Sequence, residues 1–180
     1  MPALQIPTIE SERIRLEPLS TAHSSGMFDL WREPAVCEYS GPSVDSAGDS
    51  IELPAESRTE SDRLLRFWLD RAQVGTGFRW AAVRREDSAF LGAVGFNALG
   101  PSAEYAYHLV PKFWGSGFGS ESSRLALSWA FSQGSDLIEL FIERANAKSI
   151  LLAERLGFER PTPPSSDPDR YVLTRARHSE

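Results

Sequence analysis

One cysteine, Cys37, stands in 180 residues, so the chain can form no internal disulfide and suits a reducing compartment, the cytoplasm. No histidine lies at a motif spacing that would activate Cys37 as a nucleophile, which leaves it an ordinary packing residue. The three histidines and the lone cysteine show no metal-ligand spacing, so no metal is expected. No apolar run approaches the ~20 residues that span a bilayer, and the opening MPALQIPTIESER lacks the basic-then-apolar layout of a secretory signal. Neither a membrane nor a secretory role is expected. Basic residues number nineteen, are scattered, and are outnumbered by acidic ones to a net charge of −6. Nucleic-acid binding wants clustered Lys and Arg and is therefore disfavoured. A negative field does raise the local concentration of cations such as amines, although it also simply aids solubility. Internal repeats and a second domain boundary are missing too. Residues 1–180 are expected to fold as one domain, a size at which ~70% of the unfolded surface is buried.

What is present reads as alternating strands and helices. Arg13 to Leu19 places Ile14, Leu16 and Leu19 among polar partners, a half-buried strand. Ser20 and Thr21 are N-cap residues for a short helix reaching Trp31, which Pro34 ends. The stretch Gly41 to Arg58, rich in Gly, Pro, Ser and Asp, predicts a long flexible insertion around 41–58, either a lid or a floppy loop. Thr59-Glu60-Ser61-Asp62 has the form of a capping box, and the helix behind it carries Leu64, Leu65, Trp68, Leu69 and Ala72 as one apolar stripe closed by Gly75. Phe78–Arg84 and Phe90–Ala98 are two strands of a polar-turned hairpin, and Gly100-Pro101-Ser102 turns the chain into a third strand from Ala103. Leu137 to Glu143 is a further strand, Ala147 to Leu156 a helix with Gly157 at its C-cap, and Phe158 opens a strand interrupted by PTPPSSDPD and completed by Tyr171 to Thr174. A helix joins the Ala103 and Leu137 strands, so they should run parallel.

The chain is organised around Ala103 to Glu121, AEYAYHLVPKFWGSGFGSE. A strand ends at Pro111, which has no N–H for a ladder, and a turn holding Gly115, Gly117 and Gly119 leads into an apolar-rich helical run. A strand, a glycine turn and a helix start together aim bare backbone N–H groups at an anion, with the helix dipole adding partial positive charge. Glycine at such a junction also serves merely to allow positive φ. The P-loop fits poorly because no lysine follows these glycines. The dinucleotide fingerprint fits poorly because its third glycine falls on Ser120 and too little chain follows for a long parallel sheet.

Trp114-Gly115-Ser116-Gly117-Phe118-Gly119 resembles the pyrophosphate loop of the GNAT superfamily of N-acetyltransferases, written Q/R-x-x-G-x-G/A, with Trp114 in the Q/R place. That departure resembles the branch of ribosomal-protein N-terminal acetyltransferases. The strand Ala103-Glu104-Tyr105-Ala106-Tyr107 looks like the superfamily's fourth strand, Asn146-Ala147-Lys148-Ser149 with Gly157-Phe158 resembles its closing signature, and Ser11 to Leu16 resembles its first strand. The four pieces come in the superfamily's order, between about residues 11 and 174.

The resemblance implies an α+β (α/β) acyl-CoA N-acyltransferase fold: a mixed, mostly antiparallel sheet with splayed fourth and fifth strands and helices on both faces. It implies acetyl-CoA as co-substrate and transfer of its acetyl group to a primary amine, a protein N-terminal α-amine or a small-molecule amine, by direct attack in a ternary complex. Amines are mostly protonated at neutral pH, a lysine having a pKa of ~10.4 and an α-amine ~8, so a proton acceptor is needed. Glu104 takes that role, with His108 as the other candidate because it shares the strand parity of Glu104. Coenzyme contacts fall on Leu109 and Val110, paired like an extra strand, on Trp114, Gly115, Ser116, Gly117, Phe118, Gly119 and Ser120, and on Asn146 and Ser149. Many relatives carry a tyrosine seven residues after the Asn, where this chain has Ala153; Ser149 is the nearest hydroxyl by motif for protonating the leaving thiolate, or else a cap or coenzyme contact. Trp31, Glu33, Tyr39, Phe96 and His108 are the acceptor-side candidates. The missing tyrosine keeps open a second class of function, a coenzyme-binding sensor without turnover, and the assembly is expected to be a monomer or homodimer.

Overall fold

The computed structural model describes residues 4–162 and 168–178. Its seven-stranded sheet has the order β1-β2-β5-β6-β7-β8-β9, from β1 (Ile9–Glu10), β2 (Ile14–Pro18), β5 (Phe78–Arg84), β6 (Phe90–Ala98), β7 (Ser102–Leu109), β8 (Leu137–Ile142) and β9 (Asp169–Thr174). Every neighbouring pair is antiparallel except β7 and β8, which run parallel, as expected of strands joined by a helix. A 3₁₀ turn (Thr21–His23) leads into α1 (Ser24–Trp31), followed by α2 (Pro34–Cys37), α3 (Arg58–Val74), α4 (Phe118–Ser132), α5 (Ala147–Arg155) and α6 (Arg175–His178). Residues 163–167 of the expected PTPPSSDPD interruption lie outside the described residues. On its near side Glu159 bridges Val172 antiparallel.

The sheet is covered on both faces. Trp129 of α4 packs its ring edge-on against Phe78 at 5.3 Å and Trp80 at 5.1 Å, and lies 6.0 Å from Phe96. Such aromatic pairs add ~0.5–1.5 kcal/mol each beyond burial. On the opposite face Arg79 lies with its guanidinium 3.5 Å from the Trp68 ring of α3. Side chains alternate along a strand, so Phe78 and Trp80 go with α4 and Arg79 with α3. In β7 the same alternation gives Tyr105 and Tyr107 to the α4 side and Glu104 and His108 to the α1 and α3 side.

Several local expectations change. Pro34 does not end α1 but starts α2, occupying the first helical position where a missing N–H costs nothing. The capping box of α3 is Ser57 with Glu60, two residues ahead of the expected one: Ser57 Oγ accepts the Glu60 N–H at 3.3 Å while Glu60 takes the Ser57 N–H at 3.1 Å. The 41–58 stretch holds a small hairpin, β3 (Ser43–Val44) with β4 (Ser50–Ile51), pinned where Arg63 of α3 clamps Asp45 at 2.7 Å. Ile51 and Ala55 are buried. Cys37 is half-buried, and burial, with Glu33 nearby, pushes its thiol up to about 11, so it is unreactive packing as expected.

Candidate functional site

The parallel ladder between β7 and β8 is short. It pairs Ser102 with Leu137, Ala103 with Ile138 and Glu104 with Glu139, then stops. Beyond Glu104 the strands separate, and Tyr105–Leu109 of β7 faces a wedge open toward the turn after β7. Consecutive strand N–H groups point to opposite sides. The Val110 N–H donates to Leu91 O of β6 at 2.9 Å, so the Leu109 N–H and C=O face the wedge. That carbonyl accepts Trp114 Nε1–H at 2.7 Å. Val110, like Leu109, is expected to pair with coenzyme, but its carbonyl also has a partner, the Phe113 N–H at 3.0 Å. Both of its backbone groups are used inside the chain.

The glycine turn sits at the wide end of the wedge. Gly115 and Gly117 have φ of 74° and 83°, which L side chains adopt at a cost of ~1–2 kcal/mol. A Cβ on Gly119 would meet Leu152 at 3.3 Å and Leu109 at 3.4 Å. Helix α4 begins at Phe118, with Gly117 as N-cap. Among the described residues, no acceptor in the chain is paired with the N–H groups of residues 115–120. Gly115, Ser116 and Gly117 are exposed. Phe118 contributes only its backbone, since its side chain is buried edge-on against Phe113. Six bare donors at a helix start fit an anion of diphosphate size.

The turn is braced from behind by Arg13, which sequence reasoning did not single out. Its Nη1 donates to Ser116 O at 3.0 Å, its Nε to Glu121 Oε2 at 2.7 Å, and its guanidinium lies 4.6 Å from the Phe118 ring. Glu121 also accepts the Ser11 hydroxyl at 2.6 Å. Burial opposes the charge on Glu121, but the bonds from Ser11 and Arg13 outweigh it and hold the carboxyl below its usual range. A surface depression of about 560 Å³ behind Arg13 is lined by Arg84 and Arg85 as well. There Arg84 pairs with Asp87 at 2.6 Å and Arg85 donates to Ser11 O at 2.6 Å.

Residues 13–159 match the acetyltransferase (GNAT) domain family. The chain belongs to the GNAT acetyltransferase family. It is an acyltransferase of a family that uses acetyl-CoA. The sequence is 25% identical over 159 residues to the uncharacterized N-acetyltransferase YoaA of Bacillus subtilis (strain 168), covering 86% of this chain and 84% of that one. Spermidine N-acetyltransferase from Vibrio cholerae, solved with CoA and spermine, shares the fold at a TM-score of 0.74 and 17% identity, over 94% of this chain and 100% of that one. A second Vibrio cholerae structure, assigned as a ribosomal-protein-serine acetyltransferase, aligns at a TM-score of 0.73 with 15% identity, over 97% and 99% of the two chains. The splayed pair β7 and β8 is this GNAT chain's fourth and fifth strand of the family sheet. Among the described residues, no group of three or more His, Cys, Asp or Glu could hold a metal ion, and no helix is long and apolar enough to cross a membrane.

Glu104 lies at the apex of the wedge, the last residue of β7 paired with β8. Its Oε1 accepts Asn97 Nδ2–H at 2.6 Å, and Asn97 Oδ1 accepts from Arg79 Nη2 at 2.5 Å. Asn97 reaches it because β6 bulges between Phe96 and Ala98, leaving Asn97 unpaired. The bulge is in β6, so the parity of β7 is intact and His108 stays on the Glu104 side, about 13 Å further along the strand. His108 packs against Trp31 with ring centroids 4.7 Å apart. Burial, aided by the Arg79 charge, takes His108 down to about 3. It is neutral at physiological pH and a weak base there.

On the acceptor side the structure groups some candidates and separates others. Trp31 and His108 touch, and each has a buried nitrogen, Trp31 Nε1 and His108 Nδ1, without a partner among the described residues. Tyr39 donates to Ala145 O at 3.5 Å, tying the end of α2 to the segment after β8, and Glu33 is half-buried at the start of α2. Phe96 is a correction: it is fully buried on the α4 face between Phe78, Tyr105 and Trp129 and does not point into the cleft. Asn146 caps α5 by accepting the Ser149 N–H at 3.2 Å. Ser149 Oγ accepts the Tyr107 hydroxyl at 2.9 Å across the wedge. Ala153, where relatives carry tyrosine, is fully buried. Lys148 lies 4.6 Å from the Trp114 ring. Of these contacts, the Asn146 cap on Ser149 and the Lys148 cation had a local sequence signal, their place inside the Asn146–Ser149 motif.

Proposed function

We propose that this GNAT chain acetylates a primary amine, with Glu104 as the proton acceptor. The observation that carries the reading is the pairing of an apical carboxylate with six unsatisfied N–H groups at the other end of one wedge. Acetyl-CoA, when bound, supplies the activated acetyl thioester. The N–H groups of residues 115–120 would hold its diphosphate, and Leu109 would pair with the pantetheine arm on its way from that turn toward Glu104. Asn97 orients Glu104 by donating to one oxygen, which leaves the other free for the amine or for one intervening water. Trp31, Glu33, Tyr39 and His108 form the acceptor side. An α-amine, with a pKa of ~8, asks less of a single carboxylate than a lysine at ~10.4, which favours a protein N-terminus or a small amine of low basicity.

A second reading follows from Ala153: a coenzyme-binding module with little turnover, since no phenol stands at that place. A thiol-release assay over an amine panel separates the two. Turnover on at least one amine, lost about 10²–10⁴-fold in Glu104→Gln while CoA affinity stays within twofold, supports the transferase and its base. Tight CoA binding with no turnover on any amine supports the sensor, and an unchanged rate in Glu104→Gln removes the base assignment.

A further inference from the structure

We infer that Arg79 is a positioning residue for the proton acceptor, fixing through Asn97 which atom Glu104 meets. The inference rests on the transferase reading and adds to it the residue that sets Asn97. Strands β5 and β7 lie two spacings apart, about 10 Å, and Asn97 at the β6 bulge fills the interval between Arg79 and Glu104. Gly95, the register partner of Arg79 in β6, puts no side chain in the way. Arg71 of α3 holds the bulge itself: its Nη2 donates to Asn97 O at 2.6 Å and to Thr76 O at 3.0 Å.

The chemistry of the three side chains permits one arrangement. A guanidinium only donates and an ionised carboxylate only accepts, whereas an amide does both. Arg79 Nη2 donates to Asn97 Oδ1 at 2.5 Å, so the Asn97 Nδ2 is turned to Glu104, whose Oε1 accepts from it at 2.6 Å. Rotated by half a turn, the amide would set oxygen against carboxylate and nitrogen against cation, and both bonds would be lost. Arg79 is itself tightly held. It is 5% exposed, its Nη1 donates to Phe78 O at 3.0 Å, and the Trp68 ring lies 3.5 Å from its guanidinium. Burial, with the Arg71 charge beside it, takes its pKa down to about 9 against the pull of Tyr105 and Glu104, so it is cationic at neutral pH. These hydrogen bonds go to two neutral oxygens rather than to a carboxylate. A buried cation is costly unless compensated, and the opposite charge here is Glu104, reached through the amide dipole of Asn97. The cation in turn polarises the donor that occupies Glu104 Oε1, which leaves Oε2 as the oxygen for the amine.

The test reads a spectrum as well as a rate. NMR follows the two protons of the Asn97 side-chain amide, assigned by their loss in Asn97→Ala. In wild type they should differ widely in shift, because one points at a carboxylate. Arg79→Met, which keeps the packing on Trp68 without charge or donors, should narrow that separation. Rates are measured by thiol release with the amine that turns over fastest in the panel. Arg79→Met should lower kcat about tenfold, the size of one charge-assisted hydrogen bond, with KM for that amine within twofold. Combined with Asn97→Ala it should lose no more than Asn97→Ala alone, since Arg79 acts through that residue. Arg79→Lys keeps the charge without the planar fork and should fall between Arg79→Met and wild type. The unfolding midpoint checks that Arg79→Met folds, and Arg79→Lys carries the same two readouts if it does not. An Asn97 amide pair unmoved by either substitution, an unchanged kcat, or a double variant that loses the product of the two single effects overturns the proposal and leaves the transferase standing. Wild-type protein that turns over no amine overturns the transferase reading, and the role given to Arg79 with it.

Discussion

Arg13→Ala should weaken coenzyme binding although Arg13 stands behind the turn that binds it. The carbonyl of Ser116 and the N–H of Gly117 belong to one trans peptide and point in opposite directions. By drawing the Ser116 carbonyl toward itself at 3.0 Å, Arg13 turns the Gly117 N–H outward, away from the sheet edge. Removing the guanidinium loses a charge-assisted hydrogen bond, nominally ~1.5–3 kcal/mol. With the Arg13 side chain 45% exposed, solvent screening reduces this to about 1 kcal/mol. The change also removes the cation beside Glu121 in the first turn of α4, whose charge then repels a diphosphate by roughly another 1 kcal/mol near a surface. Together these predict a Kd for CoA raised about 30-fold, measured by calorimetry at low salt. Arg13→Ala with Glu121→Gln should recover the repulsive half, and 0.5 M salt should narrow the gap as screening shortens to a few ångström. A single variant within twofold of wild type would refute the brace, and a double variant weaker than the single would refute the electrostatic half.

His108 makes a pH prediction. Its folded pKa of about 3 lies below the ordinary 6.5, so the unfolded chain binds that proton first, and stability falls as pH drops from 6.5 toward 3 while being fully present above 6.5. His108→Gln should therefore lose less of its unfolding midpoint between about pH 7 and 4.5 than wild type does; equal slopes contradict the burial argument. Glu104→Gln makes a second: because Asn97 donates to Glu104, Asn97→Ala should lower kcat by a smaller factor than Glu104→Gln, about tenfold, with the pH profile of kcat shifted as well. No shift would make Asn97 merely structural.

Local chemistry made much of the fold legible. The hairpin strands Phe78–Arg84 and Phe90–Ala98 were readable to the residue because β-branched and aromatic runs flank a polar turn. The glycine turn and its helix were readable because both depend on neighbours in sequence. Where two caps competed, Ser57 with Glu60 against Thr59 with Asp62, the fuller box won because glutamate reaches back to the N-cap N–H. The insertion at 41–58 looked structureless because its order comes from Arg63, eighteen residues away on α3. Phe96 was misplaced for a different reason: β6 is buried on both faces, so no alternation betrays which one is the cleft. The braces and pairs of the site, Arg13 with Glu121 across 108 residues and Tyr107 with Ser149 across 42, exist only once the sheet has brought them together.

The most direct measurement compares CoA with pantetheine, which lacks the diphosphate and the 3′-phosphoadenosine beyond it, by calorimetry on the wild-type protein and on Gly117→Pro. If the bare N–H groups of residues 115–120 hold that diphosphate, CoA binds at least 10²-fold more tightly than pantetheine, and Gly117→Pro, which cannot adopt the φ of 83° found there, removes most of the difference. Equal affinity for the two ligands, or CoA binding untouched by Gly117→Pro, would contradict the account.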